Sequence, residues 1–125
     1  MNMSINILVA EDNSNYLETI RMMLCSLGFQ NVIYTPNGRE AIVTLLVEKN
    51  FDLLITDWQM PIIDGLELTL EIRNMPEFEK LPIIMLSSEN RREYIEKAYT
   101  AGISTFLGKD NLLQGLMPEI EKFFP

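Results

Sequence analysis

A chain of 125 residues, 47% of them hydrophobic, is long enough to bury one proper core, and that apolar content argues against disorder. The net charge of −8, with Arg91-Arg92 as its small basic cluster, argues against direct nucleic-acid binding, which needs a basic face. The sequence holds no histidine, which excludes Ser-His-Asp catalysis, histidine-bound zinc and a phosphohistidine on this chain. Acid–base or nucleophilic work therefore falls to carboxylates, hydroxyls and lysines. No apolar run approaches the ~20 residues of a membrane span. Met1-Asn2-Met3-Ser4 lacks the basic patch and apolar stretch of a signal peptide, so a cytoplasmic location is expected, with residues 1–125 as one domain. The single Cys25 cannot form an internal disulfide and falls in a helical pattern, where it is expected to be a small packed side chain.

Taken in order, Ile5 to Ala10 form an apolar strand that stops at Glu11-Asp12-Asn13-Ser14, where Asn13 or Ser14 can cap a helix. Leu17, Ile20, Leu24 and Leu27 recur at helical spacing, and Gly28 supplies the stop. Val32-Ile33-Tyr34 reads as a second strand and Pro36-Asn37-Gly38 as a turn, with Ile42, Leu45 and Leu46 marking a second helix face. Residues 52 to 57 read as a strand whose apolar run, Leu53 to Ile55, leads to Asp57 at its C-terminal end, followed by a Met-Pro turn and the Asp64-Gly65 helix start. Leu68, Ile72 and Met75 give a third helix, closed before Pro76, and the charged segment Glu77 to Lys80 reads as a loop. A fourth strand, Pro82 to Ser87, ends in a hydroxyl, and Tyr94, Ile95, Ala98 and Tyr99 stripe a fourth helix that stops near Gly102. Thr105 to Gly108 is a short fifth strand ending at Lys109. Leu113, Leu116, Ile120 and Phe123 mark a terminal helix in which Pro118 predicts a kink or a shifted boundary.

Five βα units in succession imply an α/β fold, with a parallel sheet covered by helices on both faces and right-handed crossovers. The flavodoxin-like doubly wound order 2-1-3-4-5 suits five strands; it is adopted from folds of this kind, not read from the residues. Strand ends then bring Glu11, Asp12, Asp57, Ser87 and Lys109 to one rim, the edge where open α/β sheets bind ligands. Singly, each has an ordinary role: Glu11 and Asp12 favour a helix N-terminus, Ser87 can cap a helix, and Lys109 can be a surface lysine. Jointly they suggest more. Three crowded carboxylates repel unless a cation neutralises them, and an all-oxygen set favours a hard ion such as Mg²⁺. A lysine ammonium and a hydroxyl opposite suit phosphoryl oxygens, which together describes phosphoryl transfer through an aspartyl phosphate.

The segments Ile7 to Asp12, Asp57 to Gly65, Pro82 to Ser87 and Ala101-Gly102 through Lys109 carry a family resemblance over nearly the full length. The chain resembles the receiver domain of bacterial two-component response regulators, of the single-domain, CheY-like, chemotaxis type. The resemblance implies that Asp57 is the phospho-acceptor, taking its phosphoryl group from a histidine kinase, a phosphotransfer protein in a phosphorelay or a small phosphodonor. It implies Mg²⁺, with Mn²⁺ as an alternative, held by Asp12, Asp57 and the Gln59 backbone carbonyl, with Glu11 acting through water. Ser87 and Lys109 would hold the phosphoryl group, and Ser87 and Phe106 would form the switch. Gln59 and Glu89 flank the site and are expected to tune phosphate lifetime. A surface on the fourth helix, fifth strand and fifth helix would bind an effector protein. The expected state is a monomer, with dimerisation on phosphorylation left open, and with neither nucleic acid nor membrane as partner.

Two positions depart from the family pattern. Asp110 follows Lys109 where proline is usual, so a trans bond and an altered loop are expected, with Asp110 competing for Lys109. Phe106 lacks a tyrosine hydroxyl, which removes one hydrogen bond from an inward-turned ring. The missing proline keeps open a reading from another class, a constitutive protein-interaction domain that is never phosphorylated. A phosphohydrolase acting on external substrates would need a substrate cap, for which this chain has no spare segment.

Overall fold

The computed structural model describes residues 3–48 and 50–125, so the reading of Met1 and Asn2 lies outside it. Apolar runs of about five residues, flanked by helices of nine to thirteen, leave the backbone one economical solution: parallel strands with helical crossovers. The strands are β1 (Asn6–Ala10), β2 (Asn31–Thr35), β3 (Leu53–Asp57), β4 (Ile83–Ser87) and β5 (Thr105–Gly108). The helices are α1 (Ser14–Ser26), α2 (Gly38–Glu48), α3 (Gly65–Arg73), α4 (Arg92–Ala101) and α5 (Leu112–Phe123). All four pairings are parallel, and the order is β2-β1-β3-β4-β5, as expected.

Strand alternation sorts the core into two layers. Ile7, Val9, Leu53, Ile55, Ile84, Leu86 and Leu107 point to the face covered by α1 and α5. Leu8, Ala10, Leu54, Ile83 and Met85 point to the face covered by α2, α3 and α4. β3 and β4 are buried throughout, which explains why Leu53 to Ile55 and Ile83 to Leu86 show no polar alternation.

Local chemistry sets the helix ends. Asn13 caps α1 by accepting from the Asn15 and Tyr16 N–H groups, and Asp64 caps α3 by accepting from Glu67. Gly102 closes α4 at φ 118°, a left-handed conformation that a Cβ disfavours. Arg73 ties that turn down, donating to the carbonyls of Gly102, Phe78 and Leu81 at 2.7–2.8 Å.

Several expectations need correction. Cys25 is exposed, because α1 turns Ile20 and Leu24 inward and leaves its neighbour off that stripe. On α2 the buried positions are Gly38, Ala41 and Leu45, while Leu46 is exposed. On α4 the buried positions are Ala98 and Ala101, and Tyr99 lies outside. On α5 Leu112 is buried in place of Leu113, which completes an i, i+4, i+8 stripe with Leu116 and Ile120. Met75 lies beyond α3, and the charged segment after it holds a 3₁₀ turn, Pro76–Phe78, that buries Phe78. α5 runs through Pro118 with no boundary shift.

Candidate functional site

Parallel strands put all their C-terminal ends on one rim, and the site is assembled there. The β1 ladder continues one residue past the strand, with the Glu11 N–H donating to the Thr35 carbonyl at 3.0 Å. That contact carries the Glu11 carboxylate inward, fully buried, while Asp12 stands exposed at the edge. Asp57 closes β3 and is itself buried. The chain leaves β3 sharply because the Gly65 N–H donates to the Trp58 carbonyl at 2.6 Å. A Cβ on Gly65 would overlap the Asp57 carbonyl oxygen and come within 2.9 Å of the Trp58 Cα, so only glycine permits this approach.

Lys109 leaves β5 into a 3₁₀ turn, Lys109–Asn111, and its ammonium reaches back across the rim. It lies 3.0 Å from Glu11 Oε1 and 3.1 Å from Asp57 Oδ1. Its remaining side faces the Tyr16 ring, 4.1 Å from the centroid. No peptide bond among the described residues is cis, as expected for Lys109-Asp110. The expected competition from Asp110 is absent: among the described residues the ion partners of Lys109 are Glu11 and Asp57, and Asp110 is exposed. A buried Asp57 at 3.1 Å and a hydrogen bond to buried Glu11 hold the ammonium more firmly than a solvated neighbour can.

The electrostatics follow from this crowding. Burial first, and then the nearness of Asp57, push the Glu11 carboxyl up to about 8 from a usual 4.5. Burial and Asp57 also raise Asp12. Burial alone would lower Lys109, but Glu11 and Asp57 outweigh it and raise its pKa. Glu11, Asp12 and Asp57 each offer an oxygen, all within 4.8 Å of one another. Among the described residues, Glu11 Oε2 is buried with no hydrogen-bond partner, a costly state for a polar atom. A clustered, all-oxygen set with one lone pair unsatisfied fits a hard divalent cation.

These groups open onto a cleft of about 920 Å³ lined by Asp12, Tyr16, Asp57, Gln59, Ser87 and Lys109, among others. Ser87 is buried, and its hydroxyl accepts from the Glu89 N–H at 3.0 Å, so it caps the turn after β4 and not α4. The Glu89 carboxylate lies apart from that lining, held by Arg91 Nε at 2.9 Å, and the same arginine lowers its pKa. Phe106 is half-buried against the α2–α4 layer, and its backbone N–H donates to the Tyr99 hydroxyl at 3.1 Å. Glu11, Asp12, Asp57, Gln59, Ser87 and Lys109 therefore meet at one rim, whereas Phe106 stands on the adjoining α4–β5 face. Tyr16 is the site residue that sequence reasoning missed, although an aromatic in the first turn after Glu11-Asp12 was a usable signal.

A family profile described as the response regulator receiver domain matches residues 7–121. The chain belongs to the response regulator receiver family. Among its relatives, the chemotaxis protein CheY of Pseudomonas aeruginosa is 35% identical over 118 residues, covering 94% of each chain. A putative response regulator from Chloroflexus aurantiacus aligns with a TM-score of 0.88 at 26% identity, over 96% of this receiver and 97% of that chain. The receiver domain of the histidine kinase CKI1 from Arabidopsis thaliana, solved with Mg²⁺ and BeF₃⁻, aligns at 0.75 with 28% identity, over 94% of this receiver and 90% of that chain. Among the described residues, no helix of this receiver is long and apolar enough to cross a membrane.

Proposed function

We propose that this receiver accepts a phosphoryl group on Asp57 and uses it to switch a protein-binding surface. The observation that carries the reading is the buried trio of Glu11, Asp57 and Lys109 beside Asp12, with Glu11 Oε2 unpartnered among the described residues. An Asp57 carboxylate oxygen forms the new O–P bond as the donor's bond to phosphorus breaks. That bond is P–N in a phosphohistidine of a kinase or phosphotransfer protein and P–O in a small acyl phosphate, and its electron pair leaves with the imidazole or carboxylate. Asp12, Asp57, the Gln59 carbonyl and, through water, Glu11 would hold Mg²⁺, or Mn²⁺ in its place. Bound there, the ion would neutralise the carboxylates and the charge on the phosphoryl oxygens.

Lys109 supplies a buried cation to the incoming phosphoryl oxygens, and the Ser87 hydroxyl is the donor across from it. The Ser87 oxygen accepts from the Glu89 N–H and keeps its own O–H to donate, so a move of Ser87 toward the phosphoryl group would pull on the β4–α4 turn. Phe106 and the α4–β5–α5 surface are the proposed route to an effector protein. Gln59, exposed at the cleft, and Glu89, once released from Arg91, are the proposed determinants of phosphate lifetime.

Intact mass after incubation with a small acyl phosphate tests this, with and without Mg²⁺, on wild type and Asp57→Ala. One base-labile phosphoryl adduct that needs both Mg²⁺ and Asp57 is the expected result. A folded wild-type protein that gains no adduct under any condition would move the assignment to a constitutive interaction domain.

A further inference from the structure

A lysine ammonium has three N–H donors, and a buried one must place all three. Lys109 is such a lysine, with its side chain only 7% exposed. It donates to Glu11 Oε1 at 3.0 Å and pairs as an ion with Asp57 Oδ1 at 3.1 Å. The ammonium also lies over the face of Tyr16, 4.1 Å from the ring centroid. The negative face of an aromatic ring attracts a cation more strongly as the cation loses its water, and little of the Lys109 side chain is exposed.

The ring is itself held in place. The Asn13 side chain accepts from the Tyr16 N–H at 3.1 Å and from the Asn15 N–H at 2.9 Å, fixing the first turn of α1. Part of the ring packs at the border of the α1–α5 core layer, and part lines the cleft. The backbone beneath Lys109 offers less restraint, being a single 3₁₀ turn with no side-chain cap and a non-proline at position 110. The position of the ammonium is thus set largely by what it touches, and Tyr16 is its one uncharged partner among these contacts. A neutral partner matters because it neither competes for a phosphoryl group nor changes charge when one arrives.

We propose that Tyr16 is a positioning residue: its ring face holds the Lys109 ammonium at the cleft so that it meets the phosphoryl group on Asp57. This rests on the reading of Asp57 as acceptor. Tyr16 takes no part in bond making; the O–P bond forms at Asp57 and the donor's bond breaks as described above.

The test compares initial rates of phosphoryl uptake from a small acyl phosphate with Mg²⁺, by intact mass, for wild type, Tyr16→Phe, Tyr16→Leu and Tyr16→Met. Phenylalanine keeps the ring and should stay within about twofold of wild type, while leucine and methionine should each slow uptake by about 5- to 30-fold. Added to Lys109→Ala, Tyr16→Leu should cause no further loss, because the ring acts through the lysine. The ε-methylene protons of Lys109 should show an upfield ring-current shift with tyrosine and phenylalanine that leucine and methionine abolish. Should Tyr16→Leu fail to fold, methionine carries the comparison; should Lys109→Ala take up nothing, the ring series and the Lys109 shift decide. Wild-type rates in the leucine and methionine variants would overturn the proposal. So would a phenylalanine variant as slow as leucine, or an undiminished loss on top of Lys109→Ala. A wild-type protein that takes up no phosphoryl group would instead overturn the acceptor reading, and this proposal with it.

Discussion

Lys109 reaches Asp57 at 3.1 Å from the far side of β4, and both side chains are nearly shut off from water, at 7% and 5% exposure. Buried ion pairs are weak evidence for stability as a whole, but removing one partner leaves an uncompensated charge in a low-dielectric site. Lys109→Met should therefore destabilise the receiver by about 3 kcal/mol without divalent cation, near the lower end for such cases because Glu11 can take up a proton. Urea unfolding reads this directly, and Mg²⁺ should recover more than half of the loss. A variant as stable as wild type in both conditions would mean that the carboxylates are solvated and the cleft wetter than its geometry implies.

The same crowding sets a pH dependence. The Glu11 carboxyl titrates at about 8 in the folded state and near 4.5 when unfolded, so between these values the folded chain holds more protons than the unfolded one. Stability is then greatest below the unfolded value and falls as pH rises through the folded one. Asp12, raised in the same direction, adds to that slope, whereas Lys109, raised above 10.5, changes charge only on the alkaline side. Thermal melts without divalent cation should lose on the order of 10 °C between about pH 5 and about pH 8. Glu11→Gln should flatten the profile, and so should saturating Mg²⁺, since a bound cation holds both carboxylates ionised. A profile that rises with pH over this window would reverse the assignment.

How far the sequence could be read depended on the length scale of the interaction. Strand runs such as Leu53 to Asp57 and caps such as Asn13, Asp64 and Gly102 are local, and they were legible because a few adjacent residues decide them. Convergence of Glu11, Asp57, Ser87 and Lys109 followed once the parallel topology was granted. Helix rotation did not. Leu112 and Leu113 are chemically identical, and only docking against the sheet selects the first; the same holds for Ala41 over Leu46 and Leu24 over Cys25. Contacts that join distant elements through one side chain, such as Tyr16 with Lys109 or Tyr99 with the Phe106 N–H, had no periodic signature to reveal them.

Gly65 makes the site dependent on a single hydrogen atom. Its α-carbon packs so close to the end of β3 that a methyl group would overlap the Asp57 carbonyl oxygen. Relief requires α3 to move off the strand that presents Asp57. Gly65→Ala should cost about 2–3 kcal/mol by overpacking. It should also weaken Mg²⁺ binding, followed through the fluorescence of buried Trp58, because Asp57 and Trp58 are the residues displaced. A normal stability would show that α3 can shift freely, and normal Mg²⁺ affinity would show that the shift is not transmitted to Asp57.

Ile62 carries the opposite kind of strain, one that substitution can relieve. Its φ of 72° is a left-handed value in which a β-branched side chain crowds the backbone, and the Ile63 N–H closes a tight turn across it to the Pro61 carbonyl at 2.8 Å. The side chain is 68% exposed, so packing returns little for that cost. Asparagine tolerates this conformation, and Ile62→Asn should stabilise the receiver by about 1 kcal/mol, raising Tm by roughly 4 °C. Ile62→Thr, equally branched but polar, should leave stability unchanged, which separates backbone relief from any effect of removing an exposed hydrophobe. Equal melting temperatures for all three would show that the loop relaxes in solution to a negative φ. A loss of stability in Ile62→Asn would mean that the exposed isoleucine packs against the cleft wall more tightly than its exposure indicates.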